Sequence, residues 1–136
     1  MNPIALLLAL PAAAQLCPDG VSRVPAGMPC PRYVFFDSGK SDIRREWEAV
    51  LDAAAADARA GARLRVTGHS DAPGSAAINR RMARARAEAV AKGLIERGVA
   101  AGAIMLEAAG EDELLVPTVD GVREIQNRRV AITTLP

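Results

Sequence analysis

Apolar and polar residues follow one another along this chain in short blocks that predict alternating strands and helices. The compact apolar run at 33–36 predicts a first strand. Alternating apolar and polar residues at 64–67 predict a second, and the runs at 104–108 and 129–133 predict two more. Four strands are therefore expected.

Two segments between these strands carry apolar residues at helical spacing. The first begins at the helix-starting residues Ser41 and Asp42 and has its apolar stripe at Ile43, Trp47, Val50 and Ala54. The second covers 76–97 and stops before Gly98, its stripe running through Met82, Ala83, Ala87, Val90 and Leu94. Both segments are predicted to be helices.

The order of these elements predicts the fold class. It is an α/β (α+β) two-layer sandwich of order β-α-β-α-β-β, with one mixed four-stranded sheet and the helices packed on one face. The charged stretch at 110–126, which contains Pro117 and Gly121, predicts irregular structure before the last strand.

The chain begins with a segment that is typical of an export signal. Residues 1–14 combine an apolar run with small residues before Gln15, where cleavage is expected. The run is shorter than the roughly 20 residues that span a bilayer, so no retained anchor is expected. We therefore expect a signal peptide at 1–14, a Pro- and Gly-rich leader at 15–32 and a folded domain at 33–136.

The leader contains both cysteines of the chain, Cys17 and Cys30. In an exported protein two cysteines most simply pair with each other, and closing such a loop stabilises by about 3 kcal/mol. We predict a disulfide rather than a metal site, with two free thiols as the alternative.

Composition excludes some classes of function. The formal net charge is +1 and only four residues are aromatic, so the chain suits neither the coating of nucleic acid nor the stacking of bases. We expect no nucleic-acid partner.

Asp71 and Arg86 carry the most specific chemistry. Asp71 follows the second predicted strand, and Arg86 lies in the apolar stripe of the next helix, where long side chains lean toward the helix N-terminus. An anion and a partly buried cation facing one pocket suit an amino-acid head group, which carries both charges. The alternative is an internal salt bridge that joins the loop to the helix.

An enzyme is not expected. Residues 68–72 (Gly-His-Ser-Asp-Ala) resemble a Gly-x-Ser-x-Gly nucleophile motif, but the only histidine, His69, is adjacent to the serine and cannot be its base. One histidine and two leader cysteines also cannot form a usual catalytic zinc site. We predict no catalytic residue, no metal and no cofactor.

Three separated blocks occur in order along the chain: Thr67-Gly68-His69-Ser70-Asp71; then Gly74, Asn79, Arg86-Ala87 and Val90; and last Asn127-Arg128-Arg129-Val130. Together they resemble the signature of the OmpA-like C-terminal domain family, which includes OmpA, Pal and MotB proteins. The resemblance covers about 33–133. The chain departs from the family at Arg123-Glu124 and at Met82-Ala83, and the first departure leaves the role of Arg123 open.

The resemblance implies non-covalent binding of peptidoglycan through the diaminopimelate of its stem peptide. Asp71 would receive the ammonium of this ligand and Arg86 its carboxylate. Asn79 would hydrogen-bond the same group, while Asp37 and Arg128 would line the pocket.

This function implies a place in the bacterial envelope, in the periplasm and next to the outer membrane. The expected partner is the stem peptide, with an outer-membrane or other envelope protein as a second candidate partner. The alternative function is an envelope assembly module that binds other proteins and not the wall.

Overall fold

The structure, a computed structural model, describes residues 14–18, 20, 22–71, 75–110 and 125–135 of the 136 in the chain. The chain divides into two units, Met1–Cys30 and Pro31–Pro136. The predicted signal peptide lies outside the described residues except for Ala14, which begins the first strand. The predicted irregular stretch before the last strand also lies largely outside them.

The first unit contains a short hairpin. Strand β1 (Ala14–Leu16) pairs antiparallel with β2 (Arg23–Pro25), and Cys17 forms a disulfide with Cys30, as the sequence predicts. The Gln15 amide donates to the Met28 carbonyl at 3.3 Å. Two strands of three residues are marginal by themselves, so the disulfide is a principal restraint on this unit.

The second unit contains four strands and two α-helices in its described residues, as predicted. Their bounds are β3 Arg32–Phe35, α1 Glu48–Arg59, β4 Arg63–His69, α2 Ala76–Glu96, β5 Ile104–Gly110 and β6 Arg129–Leu135. Short 3-10 turns occupy Arg45–Trp47, Ala101–Ala103 and Ile125–Asn127.

The strands form one mixed sheet in the order β3-β6-β4-β5. β6 pairs antiparallel with both β3 and β4, whereas β4 and β5 are parallel. The predicted mixed four-stranded sheet is therefore confirmed. The ends of β3 and β4 lie beside the start of β6, because antiparallel neighbours place opposite termini at one edge.

The core lies between the sheet and the two helices. Val66 and Ile132 are aligned in the register of β4 and β6, and both are buried. They pack with Leu51 of α1 and with Val90 and Leu94 of α2. The apolar stripes predicted for the helices therefore face the sheet.

The start of α1 differs from the prediction. The segment after β3 does not become helical at Ser41 or Asp42; a 3-10 turn begins at Arg45, and the α-helix begins at Glu48. The carbonyls of Asp37 and Lys40 accept hydrogen bonds from Arg86, a residue of α2. These tertiary contacts anchor the chain just before Ser41, and the backbone is still extended at Arg44 (φ −73°, ψ 148°), so the tertiary context overrides the local starting signals.

The start of α2 agrees with the prediction. Ser75 caps the helix, its hydroxyl accepting from the Ile78 main-chain N–H at 3.2 Å. The helix then crosses β4 at close range, since a Cβ added to Gly68 would overlap the Ala83 carbonyl oxygen and lie 2.7 Å from the carbonyl carbon. This close approach fixes the position of α2 on the strand that leads to Asp71.

Candidate functional site

The five residues predicted for the ligand site come from elements that meet at one edge of the sheet. Asp71 follows the end of β4, Arg128 immediately precedes β6, and Asp37 follows β3. Asn79 lies in the first turn of α2 and Arg86 farther along the same helix. Residues that are far apart in the sequence are thus gathered by the antiparallel pairing of β6 with β3 and β4.

Arg86 is the most deeply placed charged group of this edge, with 1% of its surface exposed. Its Nε donates to the Lys40 carbonyl at 2.9 Å, and its Nη2 donates to the Asp37 carbonyl at 3.1 Å. A longer contact of 3.4 Å joins its Nη1 to the His69 carbonyl. The guanidinium therefore ties the segment after β3 to the end of β4.

The electrostatic environment of Arg86 follows from this burial. Desolvation lowers the pKa of Arg86 to about 10, because water no longer stabilises the charged form. The negative charge of Asp71 raises this pKa and the positive charge of Arg128 lowers it. The Phe36 ring lies 5.5 Å from the guanidinium carbon, a distance suited to a cation–π contact.

Asp71 forms its ion pair with Arg128. The Arg128 Nη1 lies 2.9 Å from Asp71 Oδ2, and the two side chains are only 12% and 11% exposed. Arg128 is also held by a hydrogen bond from its Nε to the Phe36 carbonyl at 3.1 Å. Among the described residues, no carboxylate forms a salt bridge with Arg86, so the alternative of an internal Asp71–Arg86 salt bridge is not what the structure contains. Asp71 acts on Arg86 only through the longer-range effect of its charge.

The other two predicted residues have different surroundings. Asn79 is buried, with 5% of its surface exposed, and its main-chain N–H donates to the Ser75 carbonyl. The Asp37 side chain is half exposed and pairs with Arg44 at 3.3 Å. Asp37 therefore contributes its carbonyl to Arg86, while its carboxylate is directed to a neighbouring residue.

Sequence reasoning missed several groups of this edge. These are the carbonyls of Phe36, Lys40 and His69, and the ring of Phe36. Every residue carries a carbonyl, so no side-chain pattern marks these acceptors. The one available signal was the desolvated arginine, whose N–H groups need partners.

A separate groove of about 380 Å³ lies between residues 41–43, the start of α1 and the C-terminal half of α2. Its lining is polar and of mixed charge, and it includes Asp42, Glu48 and Lys92. None of the five predicted ligand residues lines it. The groove is therefore not the predicted site.

The described residues contain no group of three or more His, Cys, Asp or Glu side chains placed to hold a metal ion. In the same residues, no helix combines the length and apolar character needed to cross a membrane.

Comparison with known proteins shows similarity to several envelope proteins. An outer membrane protein of Gluconacetobacter diazotrophicus is 39% identical over 107 residues, which cover 73% of this chain and 28% of that protein. The peptidoglycan-associated lipoprotein of Haemophilus influenzae is 34% identical over 101 residues, covering 73% of this chain and 66% of that one. The chain thus spans less than two thirds of the length of each of these relatives.

The fold also matches solved structures. The peptidoglycan-associated lipoprotein of Burkholderia pseudomallei superposes with a TM-score of 0.71 at 24% identity, covering 76% of this chain and 90% of that one. The relatives are binding or structural proteins of the envelope and not enzymes. The model of the OmpA family matches residues 35–128, so the chain belongs to the OmpA family.

Proposed function

We propose that this chain is a non-covalent peptidoglycan-binding module of the bacterial envelope. Arg86 binds a carboxylate of the diaminopimelate in the stem peptide, and Asp71 accepts a hydrogen bond from the amine of the same residue. The observation that carries the proposal is the buried guanidinium of Arg86, which has no carboxylate partner among the described residues.

The hydrogen bonds of Arg86 support a role as a carboxylate receptor. A guanidinium has five N–H donors, and within the described part of the chain three of those on Arg86 are held by carbonyls, so two remain for a ligand. Carbonyls orient the group without neutralising its charge. A ligand carboxylate would supply the missing anion through charge-assisted hydrogen bonds.

The remaining predicted residues complete the proposed pocket. Asn79 is buried in the first turn of α2, four residues after the capping residue Ser75. In the proposed complex its side chain hydrogen-bonds the ligand. Arg128 holds Asp71 in place through the ion pair. Asp37 shapes the pocket through its carbonyl contact with Arg86.

Family membership supports the wall as the partner. Two of the similar proteins carry the name peptidoglycan-associated lipoprotein, and a third is an outer membrane protein. We place this protein in the periplasm, exported by residues 1–14, with an outer-membrane or other envelope protein as a further partner. The proposed ligand residues all lie in the unit Pro31–Pro136.

Sedimentation with purified sacculi tests the proposal. Wild type should co-sediment, and Asp71→Ala and Arg86→Ala should each weaken binding by about 10- to 100-fold, since each loses a charge-assisted contact. Free diaminopimelate at millimolar concentration should release the wild type. Arg84→Ala is the matched control, because Arg84 is an exposed arginine of the same helix that pairs only weakly with Glu88 at 3.7 Å.

Thermal unfolding of each variant separates lost binding from lost folding. Equal co-sedimentation of the wild type and both site variants would contradict the proposal. It would favour the alternative of an envelope assembly module that binds other proteins.

A further inference from the structure

The ion pair between Arg128 and Asp71 places a cation where the ammonium of a diamino acid would bind. Arg128 Nη1 is 2.9 Å from Asp71 Oδ2, and the pair is largely shielded from water. We infer that this pair makes the site tolerant of an acylated amine, so that the module accepts diaminopimelate whose amine is joined to a neighbouring stem peptide. The inference rests on the proposed function and specifies its substrate.

The charges of the site favour a ligand with an excess of negative charge. Asp71, Arg86 and Arg128 together carry a net charge of +1, and the charge of Asp71 is already balanced by Arg128. A carboxylate brings this set to neutrality. The ammonium of a ligand would instead lie beside the Asp71 carboxylate, whose charge Arg128 already balances, and it would be repelled by the like charge of Arg128.

The contacts of Arg128 oppose its separation from Asp71. Its Nε donates to the Phe36 carbonyl at 3.1 Å, which fixes the guanidinium at the start of β6. Displacing it would leave a buried cation without its anion, which is costly. We therefore expect the ion pair to persist when the ligand binds.

Asp71 can still contribute to binding while it is paired. A carboxylate has two oxygens and about four lone-pair sites, so it can accept from Arg128 and from a ligand N–H together. An amide N–H can use such a site without bringing a positive charge beside Arg128. The site thus suits a secondary amide at least as well as an ammonium.

A preference for an amide over an ammonium would distinguish two states of the cell wall. The amine of diaminopimelate is free in an uncross-linked stem and becomes an amide when a neighbouring stem is joined to it, while a carboxylate is present in both forms. The predicted substrate class is therefore a carboxylate next to an amide, the group found at a cross-link.

Two defined probes test the inference. One is the tripeptide L-Ala-γ-D-Glu-meso-diaminopimelate, in which the diaminopimelate amine outside the peptide bond is free. The other is the same tripeptide with that diaminopimelate amine acetylated. Calorimetry gives the ratio of the two dissociation constants for each protein. For wild type we expect the acetylated probe to bind within about threefold of the free one, or more tightly. For Arg128→Gln we expect a preference for the free amine of about tenfold or more, because Asp71 then lacks its cation.

Two further variants make the test specific. Arg84→Gln removes an exposed positive charge of α2 and should leave the ratio unchanged. Arg128→Lys keeps the cation but loses the Nε contact with Phe36, and its ratio should lie closer to that of wild type than the ratio of Arg128→Gln does. If the wild type binds the free-amine probe tenfold or more tightly than the acetylated probe, the inference is wrong, even if Arg128→Gln does not fold. Equal ratios for wild type and folded Arg128→Gln overturn it too, whereas failure of both probes to bind wild type removes the proposed function as well.

Discussion

Gly68 of β4 lies directly under the main chain of Ala83 in α2, so that no side chain fits between them. A Cβ on Gly68 would overlap the Ala83 carbonyl oxygen and lie 3.1 Å from the Ala87 side chain. The helix that carries Arg86 can approach the strand that carries Asp71 only because this position is glycine. The contact therefore sets the distance between the two proposed ligand groups.

Gly68→Ala should lower the free energy of unfolding by about 3 kcal/mol or more, because the obstacle is main chain and the whole helix must shift. Urea denaturation measures this change. Gly102→Ala is the control, since an added Cβ there would meet nothing within 4 Å. Similar unfolding midpoints for the two variants would show that α2 does not rest on Gly68.

The hydrogen bonds of Arg86 to the segment after β3 give a second prediction. Arg86→Lys keeps the charge but cannot reach the carbonyls of Asp37, Lys40 and His69 together, because an ammonium lacks the planar fork of a guanidinium. We expect a loss of about 2–4 kcal/mol in unfolding free energy. Amide exchange in residues 37–44 should also become faster.

Arg81→Lys supplies the control for this substitution, because Arg81 is exposed on the same helix. Its exchange pattern should match that of wild type. Unchanged protection of 37–44 in Arg86→Lys would mean that the packing of this segment, and not the guanidinium, holds it.

The disulfide between Cys17 and Cys30 gives a third prediction. It closes a loop with a sequence separation of 13, and the hairpin inside it has only three residues in each strand. Reduction should therefore remove most of the exchange protection of the Leu16, Arg23 and Val24 amides, consistent with a contribution of about 3 kcal/mol. Hydrogen exchange with and without reductant measures it, and unchanged protection in the reduced protein would contradict it.

The sequence predicted the strands and helices well, because those depend on local patterns. The apolar stripe of α2, its start after Ser75 and the position of Asp71 past β4 can all be read from neighbouring residues. The partners of the charged groups could not be read in this way. Arg128 is 57 residues from Asp71, and only the pairing of β6 with β4 brings them together.

The start of α1 shows the same limit. Ser41 and Asp42 are good starting residues, but the carbonyls of Lys40 and Asp37 are bound by Arg86 from 46 and 49 residues away. These contacts fix the chain just ahead of Ser41, so the local starting signals do not decide where the helix begins. The misplaced helix start thus lies next to residues that the candidate site holds.

The ion pair of Asp71 and Arg128 gives a fourth prediction. Because both side chains are nearly buried, Asp71→Asn should destabilise the fold by about 3–5 kcal/mol by leaving Arg128 without its anion. The double variant Asp71→Asn with Arg128→Gln should be more stable than the sum of the single losses implies. A double-mutant cycle by urea denaturation measures this coupling, and additive losses would show that the pair does not interact.

The lowered pKa of Arg86 gives a prediction with a defined sign. Its pKa lies near 10 because burial disfavours the charged form. Between about pH 10 and the ordinary arginine pKa, the unfolded chain holds a proton at this position that the folded chain has lost. The contribution of Arg86 to stability therefore rises with pH in that range and is constant at neutral pH.

The Arg86 ¹³Cζ chemical shift follows this titration directly. Asp71→Asn should lower the midpoint, because the charge of Asp71 raises the Arg86 pKa, and Arg128→Gln should raise it, because Arg128 lowers it. A bound carboxylate should also raise the midpoint, since it favours the guanidinium form, and by linkage its affinity must fall as pH passes through that midpoint. A midpoint that does not move on addition of the acetylated tripeptide would show that Arg86 does not contact its carboxylate.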